Sequence, residues 1–128
     1  MSTPRTKLAI LVWSLSPERP ELAVAPFVYA ATACAMDCEV EIHFAGTAVK
    51  LLEPGVAENM HPSAGRERTV GDFMRDAAEQ GVSFFGCQMA LRAHGLAGQA
   101  LIPEYSAAAG AAAFVARTLD PEWGTMMF

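Results

Sequence analysis

The regular alternation of strand-like and helix-like segments constrains the fold of this chain more than any other feature of the sequence. The run 7–14 is apolar almost throughout, as expected of a strand that is buried on both faces of a parallel sheet. Strands are predicted over 7–14, 38–46, 82–86, 105–110 and 123–128, and helices over 21–36, 47–52, 69–80, 88–94 and 111–119. This order predicts an α/β fold, in which a five-stranded, mostly parallel sheet lies between two layers of helices in a single domain over residues 1–128.

Proline, threonine and glycine mark where several of these helices begin and end. Pro26 lies inside the first predicted helix, where it should either kink the helix or delay its start. Thr47 is predicted to cap the start of the short second helix, and Gly81 to cap the end of the helix over 69–80. The stretch 54–68 contains two prolines, two glycines and little periodicity, which predicts a surface loop.

Charge, hydropathy and motif content exclude several classes of protein. Nine Lys and Arg against fourteen Asp and Glu give a net charge of -5, and no basic run is present, so binding to nucleic acid is not expected. Charge, proline or glycine interrupts every apolar stretch before about 18 residues, so no membrane span is predicted. No glycine motif for nucleotides occurs, and the three histidines lack zinc-binding spacing, so neither a cofactor nor a metal is expected.

The cysteine content indicates the cellular compartment. The chain has three cysteines, an odd number in dissimilar settings, and its N-terminus does not resemble a signal peptide. Thiols stay free in reducing compartments, whereas secreted domains of this size usually pair them. A cytoplasmic location is therefore predicted.

The sequence is poor in charge for so small a domain. Hydrophobic residues make up 52% of it and charged residues 18%. Strands that are buried on both faces account for part of this composition. The remaining apolar excess lies in the Ala-rich stretch 21–36 and in 123–128, which predicts that these segments form contacts between the subunits of a homo-oligomer.

Cys87 lies where a reactive group is expected in a parallel sheet. It follows Gly86 at the carboxyl end of the third predicted strand and directly precedes a helix, and ligands collect at this edge of α/β sheets. The helix start favours a thiolate, Gly86 is expected to leave room for a second molecule's sulfur, and Arg92 and His94 are further sources of positive charge. Position alone equally allows Cys87 to be a small buried hydrophobic residue, as most free cysteines are.

Packing or solvation better explains the other cysteines and the polar residues of the second strand. Cys34 and Cys38 flank the boundary between the first helix and the second strand, where core packing is a better explanation than metal or disulfide chemistry. Glu39 and Glu41 share one face of the strand and are predicted to be solvated. His43 follows on that face and is predicted to lie at the surface or in an interface.

The segment 81–96 reads Gly-Val-Ser-Phe-Phe-Gly-Cys-Gln-Met-Ala-Leu-Arg-Ala-His-Gly-Leu and resembles the active-site segment of the DsrE/DsrF-like family. In that family a strand ends in a cysteine, and a short helix with an arginine follows. The resemblance extends over nearly the whole chain, with Phe44-Ala-Gly46, Ala48-Val-Lys50-Leu-Leu and a late Ala-Ala-Gly110 in matching order. It implies a flavodoxin-like, three-layer α/β/α domain of the DsrE type that assembles as a homotrimer or hexamer.

The resemblance also implies a function. DsrE- and TusD-type members of the family carry sulfane sulfur as a cysteine persulfide in sulfur-relay or sulfur-oxidation pathways. This chain is accordingly expected to be a sulfurtransferase-like sulfur carrier, with the persulfide on Cys87. Its expected partner is a small sulfur-carrier protein of the TusA type or another persulfide donor or acceptor. Two alternatives stay open: an oligomeric scaffold or binding module with an inert Cys87, and a thiol redox sensor.

Overall fold

The sheet is parallel throughout, as the alternation of strands and helices predicts. The structure is a computed structural model that describes residues 5–128. Its strands are β1 Lys7–Val12, β2 Glu39–Phe44, β3 Ser83–Gly86, β4 Tyr105–Ala108 and β5 Trp123–Met127. They lie in the order β4-β3-β2-β1-β5, and every neighbouring pair is parallel. The predicted α/β fold with a five-stranded sheet is confirmed.

Within the described residues, four α-helices and three short 3-10 helices connect these strands. The α-helices are α1 Ala25–Ala35, α2 Val70–Gln80, α3 Gln88–Ala93 and α4 Ala111–Leu119, and the 3-10 helices are Pro20–Leu22, Gly46–Leu52 and Ala57–Asn59. Pro26 is the second residue of α1, so it delays the start of the helix and does not kink it. Thr47 does not cap the helix that it was predicted to begin, because the helix starts at Gly46 and Ala45 is its cap residue; the Thr47 hydroxyl donates instead to the Leu15 carbonyl at 2.8 Å.

Helix α2 is capped at its end by Gly81, as predicted, and begins with a capping box at Thr69. The Thr69 hydroxyl accepts a hydrogen bond from the Asp72 N–H at 3.1 Å, and the Asp72 carboxylate accepts one from the Thr69 N–H at 2.8 Å. This reciprocal pair is a capping box. Gly81 follows the helix at φ 114°, a left-handed conformation that favours glycine. The chain therefore turns directly from α2 into β3.

Helices cover the two faces of the sheet unequally. Strands β1 to β4 follow one another toward one edge, whereas β5 lies on the other side of β1. Because crossovers between parallel strands are right-handed, α4 in the returning connection lies on the opposite face from the earlier helices. Phe114 of α4 accordingly packs with Ala9 and Trp123 in a cluster separate from the main core. Polar strand residues beneath α4 therefore depend on this one helix for their burial.

Three phenylalanine rings occupy the centre of the main core. The centroid of Phe27 in α1 lies 6.0 Å from those of both Phe44 in β2 and Phe84 in β3, and the latter two are 5.4 Å apart. Each of the three residues is at most 1% exposed. They join α1 to the two strands that end beside Cys87.

Strand β2 is buried on both faces, contrary to the expectation from its alternating sequence. Its apolar residues lie in the main core, but Glu41 and His43 on the other face are only 8% and 5% exposed. The prediction that Glu41 is solvated is therefore wrong, and so is the prediction that His43 lies at the surface or in an interface, because both are buried within the chain itself; Glu39 is exposed as predicted. The reason is that α4 crosses this face, which the alternation within β2 does not reveal.

The stretch 54–68 is mostly exposed. It is irregular apart from the 3-10 helix Ala57–Asn59, and Ala57 and Met60 within it are buried.

No helix within residues 5–128 is long and apolar enough to cross a membrane.

Candidate functional site

Cys87 lies directly after β3, at the carboxyl edge of the sheet. Its N–H donates to the Phe44 carbonyl at 2.9 Å, and its carbonyl accepts a hydrogen bond from the Leu91 N–H at 2.9 Å. These bonds attach the residue both to β2 and to the first turn of α3. The Cys87 side chain packs against the main core and also lines a cavity together with Phe114 of α4.

Gly86 is required by packing in the main core. A Cβ at this position would lie 3.0 Å from Cε1 of Tyr105 and 3.2 Å from Cδ1 of Leu52. The protein's own side chains thus fill the space beside Gly86, and the prediction that this glycine leaves room for a second molecule's sulfur is wrong. The space available to a reactant lies on the opposite face, beside Cys87.

A cavity of about 190 Å³ lies beside Cys87. The carboxyl ends of β1, β2 and β3 and the turn into α4 form its walls. This is the edge of an α/β sheet at which ligands are bound. The residues that line it are Leu11, His43, Phe44, Ala45, Cys87, Ala109, Gly110, Ala111, Phe114 and Val115. The cavity is therefore mainly apolar, with one thiol and one imidazole in its walls.

The first turn of α4 forms one wall of this cavity. Gly110 is the N-terminal cap residue of α4, it provides no side chain for capping, and both it and Ala111 line the cavity. The N–H groups at a helix start carry partial positive charge, so this wall favours an anion. A second helix, α3, begins directly after Cys87. Cys87 is the N-terminal cap residue of α3, its side chain makes no capping hydrogen bond there, and the start of α4 lines the same cavity.

A chain of hydrogen-bonded polar groups lies behind the cavity and crosses from α4 to β2; Glu41 and His43 are buried and Arg117 is partly exposed. Arg117 of α4 donates from Nε and Nη2 to the two carboxylate oxygens of Glu41, each at 3.0 Å. The same carboxylate lies 3.0 Å from Nε2 of His43. The guanidinium of Arg117 also lies 4.1 Å from the centroid of the Trp123 ring. Two parallel N–H bonds and a stacked ring fix the direction in which Arg117 holds the carboxylate.

The sequence profile of the DsrE/DsrF-like family matches residues 7–120, from β1 through α4. The chain belongs to the DsrE/DsrF-like family. The resemblance seen in the segment 81–96 is thus confirmed for most of the chain, and the cavity beside Cys87 is the candidate site of a DsrE-family protein.

Solved structures agree with this family assignment at the level of the fold. The YchN protein from E. coli covers 98% of this chain, over 100% of its own length, with a TM-score of 0.74 and 12% identity. A protein of unknown function from Methanobacterium thermoautotrophicum, MTH1491, covers 95% of this chain, over 98% of its own length, with a TM-score of 0.66 and 17% identity. At these identities the likeness shows the fold alone. No curated protein matches the chain significantly.

The Glu41 carboxyl of this DsrE-family chain is ionised. Burial raises its pKa, but the hydrogen bonds from Arg117 and His43 outweigh burial, so the pKa of Glu41 lies below its ordinary value. An ionised carboxylate only accepts hydrogen bonds, so His43 donates its Nε2–H to Glu41. The neutral tautomer that matches this hydrogen bond has its proton on Nε2 and a lone pair on Nδ1.

Replacing Glu41 by glutamine should change the pH dependence of stability. Because the folded-state pKa of Glu41 lies below its ordinary value of 4.5, its contribution to stability is present above that value and is lost as the pH falls through the folded-state pKa. We expect Glu41→Gln to lower the free energy of unfolding by about 1–3 kcal/mol at neutral pH, and by progressively less as the pH falls through the folded-state pKa of Glu41. Urea denaturation at a series of pH values measures the difference.

Glu39→Gln is the matched control for this measurement. Glu39 lies on the same strand, its side chain is 62% exposed, and the substitution removes the same charge. Its effect should be within about 0.5 kcal/mol across the range. Curves for wild type and Glu41→Gln that run parallel down to acid pH would contradict the role assigned to the Glu41 carboxylate.

The other two cysteines lie away from the cavity. Cys34 is near the end of α1 and Cys38 directly precedes β2, so both are at the amino edge of the sheet, opposite Cys87. Both are free thiols that pack against the main core, as predicted. Burial, with a smaller contribution from Cys38, raises the pKa of the Cys34 thiol. Cys34 is therefore a weaker nucleophile at neutral pH than an exposed thiol.

Arg92 and His94 do not line the cavity, although both follow Cys87 closely in the sequence. Arg92 lies on an exposed part of α3, and His94 is the residue that ends the helix. Within the part of the chain that the structure describes, no group of three or more His, Cys, Asp or Glu residues could hold a metal ion.

The sequence did not reveal that His43 lines the candidate cavity, or that Glu41 and Arg117 are hydrogen-bonded in a chain behind it. A signal for His43 and Glu41 was present, since β2 pairs with the strongly apolar β1, and a strand inside a parallel sheet is buried on both faces. Two polar residues on such a strand must find partners inside the protein. Their partner Arg117 is 76 positions beyond Glu41, and only the path of α4 across the sheet brings it there.

Proposed function

We propose that this protein is a sulfur carrier that accepts sulfane sulfur on Cys87 as a persulfide and passes it to a partner thiol. The observation that carries the proposal is the position of Cys87, in the wall of an apolar cavity at the carboxyl edge of the sheet. Membership of the DsrE/DsrF-like family, which includes sulfur-relay proteins, supports the choice of sulfur as the transferred group.

Sulfur uptake in this proposal is an exchange between a thiol and a persulfide. The Cys87 thiolate attacks the terminal sulfur of a donor persulfide, R–S–SH. A bond forms between Sγ and that sulfur, the donor's S–S bond breaks, and the donor leaves as R–SH with the proton that Cys87 gave up. An acceptor thiolate later attacks the outer sulfur of the Cys87 persulfide in the same way. Neither step consumes an oxidant or a reductant.

The cavity suits this chemistry in polarity and in charge. Its apolar walls reduce the access of water to the persulfide, and its volume of about 190 Å³ admits a short chain of atoms such as the end of a cysteine persulfide. The start of α4 at Gly110 and Ala111 favours the negative charge that both the thiolate and the persulfide carry.

The proposed partner is a small sulfur-carrier protein of the TusA type, or another persulfide donor or acceptor, in the cytoplasm. Such a partner must present its own cysteine on an extended or mobile segment, because the Cys87 thiol is partly buried and its cavity is narrow. Access therefore enters the rate of transfer together with the nucleophilicity of the two thiols.

Assembly as a homotrimer or hexamer is part of the proposal. The two segments predicted for subunit contacts both expose large apolar side chains, Tyr29 at 50% and Met36 at 72% in and after α1, and Met127 at 62% in β5. Strand β5 is also an edge of the sheet, so one side of its backbone is available for pairing. A light-scattering mass equal to that of a monomer at micromolar concentration would contradict this part.

Mass spectrometry after exposure to sulfane sulfur tests the proposed function. The reduced protein is incubated with polysulfide or with a persulfidated donor, and its intact mass is measured before and after treatment with a thiol reductant. We expect a gain of whole sulfur atoms that the reductant reverses, located by peptide mapping on the segment that contains Cys87. Absence of a gain, or sulfur found only on Cys34 or Cys38, would favour the scaffold with an inert Cys87.

A further inference from the structure

A buried imidazole nitrogen without a partner belongs to a residue in the wall of the Cys87 cavity. His43 is 5% exposed, and its Nδ1 is buried with no hydrogen-bond partner within residues 5–128. An unpaired buried acceptor costs about 1–3 kcal/mol, and such groups are few in native proteins. Because His43 lines the cavity, we infer that its Nδ1 interacts either with a molecule bound in the cavity or with the Cys87 thiol.

The register between β2 and β3 brings His43 and Cys87 together. His43 is paired with Phe85, and Phe44 with Gly86. The hydrogen bond from the Cys87 N–H to the Phe44 carbonyl continues this register to the cysteine. Cys87 is thus two residues beyond the neighbour of His43, and both side chains line one cavity.

The imidazole ring of His43 is held in a single orientation. The ring of Phe85 stacks on it at a centroid distance of 5.3 Å, and the ring of Phe114 meets it edge-on at 5.6 Å. Its Nε2 is tied to Glu41, which Arg117 holds from α4. With Nε2 occupied as a donor, Nδ1 is the ring atom that can accept a proton.

The charged and titratable groups that face His43 come from three elements. Glu41 lies on its own strand, Arg117 reaches it through Glu41 from α4, and Cys87 lies at the end of β3. The neighbouring strand β1 contributes the apolar Leu11. A positive charge formed on the imidazole would therefore be stabilised by the Glu41 carboxylate at Nε2, in a cavity whose wall also contains Cys87.

We propose that His43 accepts the proton of the Cys87 thiol, with Glu41 and Arg117 as positioning residues that set its tautomer and orientation. A base oriented by a carboxylate is a recurring way to activate a nucleophile. This inference rests on the proposed function for the identity of the electrophile, sulfane sulfur, but not for the proton transfer itself.

During sulfur uptake the proton moves out and back. His43 Nδ1 takes the proton from the Cys87 thiol, and the thiolate attacks the terminal sulfur of the donor persulfide. As the donor's S–S bond breaks, its inner sulfur leaves as a thiolate and takes the proton from the imidazolium. The products are the Cys87 persulfide and the donor thiol, and His43 returns to its neutral form with the Nε2–H still bonded to Glu41.

The test measures the reactivity of the Cys87 thiol without any sulfur transfer. In a parent chain with the substitutions Cys34→Ser and Cys38→Ser, Cys87 is the one remaining cysteine, so intact mass reports its alkylation by iodoacetamide. Rates are measured from about pH 5 to about pH 10, which spans the ordinary titration of imidazole and thiol. The compared variants are His43→Gln and His61→Gln in the same parent.

His61→Gln is the matched control. Its Nδ1 is also buried and unpaired within the described residues, but His61 does not line the Cys87 cavity. We expect His43→Gln to lower the alkylation rate about tenfold or more near neutral pH, and to approach the parent rate near about pH 10, where a thiol ionises without help. His61→Gln should follow the parent at every pH.

Two results would overturn the role of His43. One is an alkylation profile that His43→Gln leaves unchanged, and the other is a rate that falls by the same factor at every pH, as a structural role predicts. If circular dichroism shows that His43→Gln does not fold, Glu41→Gln takes its place, since it keeps the imidazole and removes the charge that positions it. That variant should shift the profile in the same direction by a smaller factor, and an unshifted profile would overturn the proposal.

Sulfur uptake by the same chains separates this inference from the proposed function. A parent whose alkylation depends on His43 but which takes up no sulfur would overturn the sulfur-carrier function and leave the proton transfer standing. A parent that takes up sulfur with an alkylation profile indifferent to His43 would overturn only the role of His43.

Discussion

Replacing Cys87 by serine should abolish sulfur uptake while leaving the fold intact. A hydroxyl oxygen cannot form a persulfide, and it stays protonated at neutral pH where a thiol is partly ionised. The backbone of residue 87 is held by hydrogen bonds to Phe44 and Leu91 that do not involve its side chain. We therefore expect the free energy of unfolding to change by less than about 1 kcal/mol. Intact mass after polysulfide treatment and urea denaturation measure the two effects.

The other two cysteines provide the controls for Cys87→Ser. Cys34→Ser and Cys38→Ser remove thiols that pack against the core at the opposite edge of the sheet. Each variant should load sulfur as wild type does, because the raised pKa of Cys34 and the distance of both residues from the cavity exclude them from the exchange. Equal loading of wild type and Cys87→Ser would show that Cys87 is not the sulfur acceptor.

Phe84→Ala should destabilise the fold strongly, because it removes a ring from the centre of the main core. Phe84 is 0% exposed and contacts both Phe27 and Phe44, so its truncation leaves a hole between α1 and two central strands. We expect the free energy of unfolding to fall by about 3–5 kcal/mol, which is a large part of the roughly 5–15 kcal/mol typical of a whole domain. Urea denaturation monitored by circular dichroism measures the loss.

Met89→Ala is the control for the truncation of Phe84. Met89 is 76% exposed on α3, two residues beyond Cys87, so the loss of its side chain should cost less than about 0.5 kcal/mol. A loss below about 1 kcal/mol for Phe84→Ala would mean that the three-phenylalanine cluster does not form the centre of the core.

Helix α4 makes two contributions to the candidate site. Its first turn, with Ala111 and Phe114, forms a wall of the cavity, and Arg117 farther along it holds Glu41. Within the described residues it is also the helix that covers this face of the sheet. A substitution that displaces α4 would therefore disturb two features of the site together, the cavity wall at the start of the helix and the hydrogen bonds that orient His43. The exposed residues Val115 and Leu119 on this helix do not by themselves reveal that dependence.

The sequence determined the order of strands and helices, the ends of α2 and the position of Cys87. These properties follow from local physical chemistry: the apolar period within each segment, the capping box of Thr69 and the left-handed conformation that Gly81 adopts more easily than other residues. The sequence identifies Cys87 as a candidate because the carboxyl ends of parallel strands lie at one edge of the sheet, and ligands bind at that edge.

Only the tertiary structure decided that Glu41 and His43 are buried and that His43 lines the cavity beside Cys87. Alternation within β2 separates its two faces but does not say what covers each of them. The cover comes from α4, whose Arg117 is 76 positions away from Glu41 and reaches it because the chain returns across the sheet before β5. Long-range contacts of this kind depend on the path of the whole chain, and no local pattern encodes them.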